Sequence, residues 1–81
     1  MPGQEVKTMP GNWAVEYSEG IRQLECGDYE GAVAAFTSVI AVNPDLLQAY
    51  RDRAEAHRGL GRIEEAEADE EKGRALLPTL A

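Results

Sequence analysis

Displaced by 34 residues, this chain of 81 falls back on itself: Gly27 lies over Gly61, Ala32 over Ala66 and Pro44 over Pro78, with Tyr29 over Ile63 and Gly20 over Ala54. Five coincidences at one offset describe a single unit used twice, and a period of that size is the mark of a helical hairpin that stacks on its neighbours. The length allows about one small domain. Hydrophobic residues at 43% and charged residues at 28% fit a chain that folds around a core. With one Trp, three Tyr and one Phe, that core must come largely from small side chains in close contact, which favours helix on helix.

The residues at the unit boundaries supply a physical reason for each turn. Gly27 and Gly61 accept the left-handed conformation that closes a helix, and Asp28 can then cap the next helix through its carboxylate. Arg62 has no such acceptor, so the fourth helix is expected to start less firmly. Pro44 and Pro78 push the residues before them out of helical geometry, and Asp45 restarts the chain. The expected helices cover about residues 13–25, 29–42, 46–59 and 63–77. Residues 1–12, polar and bearing Pro2, Gly3, Pro10 and Gly11, are expected to form a flexible leader, without the apolar segment of a signal peptide.

These residues resemble the tetratricopeptide repeat family. The first repeat carries Gly20, Gly27-Asp28-Tyr29, Ala32, Phe36 and Pro44, and the second carries Tyr50, Ala54, Gly61, Ala66 and Pro78. The resemblance implies an all-α fold of two stacked helix-turn-helix hairpins, a fragment of a right-handed α-solenoid, with repeats over about 13–46 and 47–80 of a domain spanning 13–81. Gly20, Ala32, Ala54 and Ala66 would let paired helices approach closely. Phe36, Val33, Val39, Ile40, Val42, Leu47, Tyr50, Leu60 and Ile63 are the expected core, closed by Leu76 or Leu77.

Departures from the family pattern mark the two ends. Glu16, Glu19 and Gln23 stand in the first helix where large apolar residues are common, while Glu70 and Arg74 take the places of Phe36 and Ile40. Terminal repeats need wettable outer faces. The expectation is therefore an array complete with two repeats, the alternative being a piece of a longer one.

The resemblance also implies a function, since family members commonly bind an extended or helical peptide on the concave side lined by the first helix of each repeat. The matching positions are Tyr17, Ile21 and Leu24, then Gln48, Arg51, Glu55 and Arg58. Together they describe a groove with one apolar and one charged wall, suited to a protein or peptide with an apolar anchor and acidic groups. Two competing readings turn the Tyr17 stripe inward as core and pair Arg51 and Arg58 with Glu55 and nearby acids. Some members grip a terminal carboxylate with basic and asparagine side chains spread over three repeats. Tyr17, Ile21 and Asp52 occupy the matching places here, so that route is not expected.

Other chemistry finds little support in the sequence. A net charge of −7 and a pI near 4.5 disfavour nucleic acid and anionic membrane as partners. One cysteine, Cys26, allows no internal disulfide and no multi-cysteine zinc site, so a reducing cytoplasm is the expected location. His57 and Cys26 lie on different repeats with no third orienting group, and His57 reads as packed and hydrogen-bonded. Gly59-Leu60-Gly61 lacks the strand and third glycine of a phosphate loop. Glu64, Glu67 and Glu71 share a face that reads as solvated rather than metal-binding. No enzyme activity and no cofactor are expected. The alternative to a partner-binding module is a self-associating unit, a homodimer formed through Tyr17, Ile21 and Leu24 or through Leu76, Leu77 and Leu80.

Overall fold

In a computed structural model of the chain, which describes residues 13–77, the expected helices form with shifts of one or two residues at their ends. They are α1 (Trp13–Cys26), α2 (Tyr29–Val42), α3 (Leu47–Gly59) and α4 (Ile63–Ala75). α1 packs on α2 and α3 on α4, giving two hairpins. α3 also packs on α2 and touches α1, whereas α4 has α3 alone as its helical neighbour among the described residues. The leader expected over residues 1–12, together with Pro78 and Leu80, lies outside the described residues.

The two hairpin turns are copies of one another at the backbone level. Gly27 has φ +86° and Gly61 has φ +79°, the left-handed region that glycine enters without steric cost. In the first turn the Gly27 amide donates to the Leu24 carbonyl at 3.1 Å and the Asp28 amide to the Gln23 carbonyl at 2.8 Å. In the second, Gly61 donates to Arg58 at 3.0 Å and Arg62 to His57 at 2.8 Å, so both helices end on the same double closure. Asp28 caps α2 by accepting from the Gly31 amide at 3.1 Å, and Arg62 gives α4 no side-chain cap. The restart at α3 differs from expectation: Leu46, not Asp45, is the N-cap residue, and no side chain caps the helix. The Tyr50 hydroxyl holds this turn instead, donating to the Pro44 carbonyl at 2.9 Å.

Alanines build most of the interior. Ala32, Phe36, Val39, Ala49, Ala56 and Ala66 are fully buried, with Ala54 and Tyr50 nearly so. Phe36 lies so close over Gly20 that a Cβ placed there would stand 2.6 Å from its ring. Of the expected core, Val33, Ile40, Leu47, Leu60 and Leu76 are half-buried. Val42, Ile63 and Leu77 belong outside it, at 43%, 45% and 54% exposure. Val42 ends α2, Ile63 begins α4 and Leu77 follows α4, so all three project past the packed middle of the hairpins.

One half-buried polar group joins three helices. Arg53 of α3 grips Asp69 of α4 with two hydrogen bonds, Nε to Oδ2 at 2.8 Å and Nη2 to Oδ1 at 2.7 Å, and its Nη1 reaches Thr37 Oγ1 of α2 at 3.1 Å. The hydrogen bonds to Asp69 raise the Arg53 pKa above its ordinary value despite partial burial. His57 is packed beside the pair, with Nε2 3.7 Å from Asp69 Oδ2, too far for a hydrogen bond. Its buried Nδ1 has no hydrogen-bond partner among the described residues. The expectation of a hydrogen-bonded histidine is thus corrected among the described residues: Arg53 takes Asp69 in a forked pair, and the imidazole stands too far away to share the carboxylate.

Candidate partner-binding site

Gln48, Arg51, Glu55 and Arg58 follow one another at spacings of three and four along α3, which places them on one stripe. With Asp52 and with Glu70 of α4 they line an open cleft of about 280 Å³. The structure therefore brings together the four positions expected from the second repeat. It adds Glu70, which the sequence reading had singled out only as a break in the apolar pattern.

The charges in this cleft are not equivalent. Arg58 is held by Glu70 in a forked pair, Nη2 to Oε1 at 2.8 Å and Nε to Oε2 at 3.0 Å. Its partner is thus across the hairpin on α4 rather than Glu55 on its own helix. Asp52 is buried, and both its oxygens are engaged: Tyr17 donates its hydroxyl to Oδ2, and Gln48 Nε2 donates to Oδ1 at 3.3 Å. Burial, and then the hydrogen bond to Asp52, push the Tyr17 hydroxyl well above its ordinary pKa. Arg51 makes no ion pair or side-chain hydrogen bond among the described residues.

The apolar wall expected from α1 is mostly spent on packing. Tyr17, Ile21 and Leu24 are half-buried against the cluster of Ala32, Phe36 and Ala56, where α3 comes down on the first hairpin. Ring contacts extend this seat, Tyr17 lying 5.7 Å from Phe36 and 6.4 Å from Trp13 between centroids.

A second hollow of about 290 Å³ adjoins the first and shares Arg51 and Glu70 with it. Leu47, Gly73, Arg74 and Leu77 complete its lining. The sequence reading missed it as a site. The signal was present in the offset that pairs Gly73 with Val39 and Arg74 with Ile40, a loss of apolar bulk on one face of α4. A third, shallower opening lies on the outer side of α1 and α2, over Glu16, Glu19 and Gln23 and the small residues of α2.

Chemistry beyond binding finds no assembled site among the described residues. They hold no group of three metal-ligating side chains, and no helix is long and apolar enough to cross a membrane. Cys26 is exposed at the end of α1, while His57 is buried against Asp69. Glu64, Glu67 and Glu71 are exposed on α4.

Two helical hairpins closed by matching glycine turns, 34 residues apart, with α3 of the second packed chiefly on α2 of the first, define a helical-repeat protein. The tetratricopeptide repeat profile matches residues 23–68, more than half of the chain. The chain belongs to the tetratricopeptide repeat family. It is 40% identical over 53 residues to the Protein SGT1 homolog of Oryza sativa subsp. japonica, a match that covers 65% of this chain and 14% of that relative's length. No solved structure matches the chain. Family membership supports a protein–protein interaction module as the general role.

Proposed function

We propose that the chain binds a peptide or protein partner along the α3 stripe, with Gln48, Arg51, Glu55 and Arg58 lining the contact and the partly exposed edges of Tyr17, Ile21 and Leu24 bordering it. The observation that carries this reading is the contrast among the charges. Arg58 and Asp52 are committed internally, whereas Arg51 stands in an open cleft with no partner among the described residues. An acidic group on the partner is its natural complement, and an apolar anchor would rest against the α1 edge. The protein contributes shape and charge and carries out no reaction. A cytoplasmic location belongs to the same proposal, supported by the exposed Cys26 thiol.

The test is calorimetry against an acidic peptide library followed by single substitutions. Arg51→Ala and Gln48→Ala should weaken the best binder, while Glu67→Ala, exposed on α4, leaves it unchanged. Equal losses for all three would argue against a localised cleft. Self-association through exposed apolar residues is the second reading, favoured by Leu77 standing 54% exposed beside half-buried Leu47. Sedimentation across a dilution series separates the two, because a monomer at every concentration would remove it.

A further inference from the structure

The join between the two hairpins is a template for what the far end of the second one can receive. α3 seats on the first hairpin by laying Ala56 against Phe36 among Tyr17, Ile21 and Leu24. Its Asp52 takes the Tyr17 hydroxyl, and its Arg53 reaches Thr37. Moved on by 34 residues, Tyr17 and Phe36 of that seat become Arg51 and Glu70, and Val39 and Ile40, which follow Phe36 along α2, become Gly73 and Arg74. An apolar seat has been turned into a charged one with a hollow in its floor.

The hollow is traceable to Gly73. Val39, its counterpart, is fully buried, whereas a Cβ built on Gly73 would meet only ordinary contacts: Arg51 Cγ at 3.6 Å, Tyr50 Cβ at 3.7 Å and the Leu47 carbonyl oxygen at 3.8 Å. Packing between α3 and α4 therefore does not demand a glycine, and a glycine even in the last turn of α4 disfavours the helix it sits in. What its missing side chain leaves is the opening of about 290 Å³ with Leu47 and Leu77 at its rim. Arg51 and Arg74 flank it, and neither has an ion-pair partner among the described residues. Glu70, the acid in the lining, is already taken by Arg58. In a chain of net charge −7 this is a local concentration of uncommitted positive charge against an apolar rim.

We propose that this end of the α3–α4 hairpin docks an acidic amphipathic helix of another protein, one aliphatic side chain entering the hollow over Gly73 and carboxylates a turn to either side meeting Arg51 and Arg74. The proposal rests on the reading of the chain as a partner-binding module and locates a contact distinct from the Gln48 side of α3. A second copy of the chain fits the seat poorly. Docked as α3 docks, its α1 would bring the long Arg22 where Ala56 belongs and Glu19 against Glu71, a like-charge pair in place of Arg53 on Thr37.

The probe is a fluorescein-labelled, stapled helical peptide with one leucine and two glutamates a turn to either side on a single face, compared with the same peptide carrying lysines for glutamates. Anisotropy should show saturable binding of the glutamate peptide and at least tenfold weaker binding of the lysine peptide. Arg74→Ala and Gly73→Val should each weaken the glutamate peptide several-fold, while Gln48→Ala leaves it unchanged. Gly73→Leu provides a second filling variant if the valine lowers thermal stability. The proposal is overturned if the two peptides bind alike, if the glutamate peptide does not saturate, or if filling the hollow has no effect. Loss of library-peptide binding on Gln48→Ala but not on Arg74→Ala would sustain the α3-stripe site independently of this one.

Discussion

Two glycines buried in this fold answer to opposite physical demands. Gly20 is required by close approach, since an added Cβ would press to 2.6 Å from the Phe36 ring, and Phe36 is fully buried with no free direction to yield. Gly20→Ala should cost about 1–3 kcal/mol through overpacking. Gly73→Ala meets only ordinary contacts and removes the entropy cost of a helical glycine, so it should stabilise by about 0.5–1 kcal/mol. Urea melts of the two variants should therefore move their midpoints in opposite directions. Tyr17 offers a second test at this scale. Burial and the bond to Asp52 raise its folded pKa above the ordinary 10.0, so its stabilising contribution is complete below that pH. Above it, the unfolded chain releases the tyrosine proton while the folded chain retains it, and the contribution is lost as pH rises. As pH rises above about 10 the wild type should lose stability more steeply than Tyr17→Phe.

At the scale of helices, what the sequence disclosed was local and what it concealed was not. The turns were legible because Gly27, Gly61 and Asp28 act on their own neighbours, and a left-handed glycine or a capping carboxylate has much the same effect in any fold. The stripe of Gln48, Arg51, Glu55 and Arg58 was legible for the same reason, because helical spacing alone places residues on one side. Spacing does not say which neighbour covers that side. Tyr17, Ile21 and Leu24 share a stripe as expected, but the small Ala56 lets α3 settle onto it. Nor did the sequence disclose that Arg53 would choose Asp69, 16 positions away, or that His57 would have no hydrogen-bond partner among the described residues. That ion pair supplies its own prediction. Arg53→Ala leaves the nearly buried Asp69 carboxylate uncompensated and should cost about 3 kcal/mol, whereas Arg22→Ala, in an exposed pair with Glu19, should cost well under about 1 kcal/mol. Thermal or urea melts separate the two.

Across the whole molecule, cohesion is unevenly shared. α3 packs on α4, on α2 and on α1, and it supplies Ala49, Tyr50, Asp52, Ala54, Ala56 and His57 to the interior, more buried residues than any other helix. Among the described residues α4 has α3 alone beneath it, and α1 leans chiefly on α2. Native-state hydrogen exchange should report this as a gradient. Amides in the middle of α3 exchange only when the entire chain opens, while those of α4 are released earlier by a partial opening that leaves the rest in place. A ligand held between α3 and α4 would close that gap and bring α4 up to the protection of α3. The last helix would then act as the clasp of the fold, loose by itself and fastened by whatever it grips.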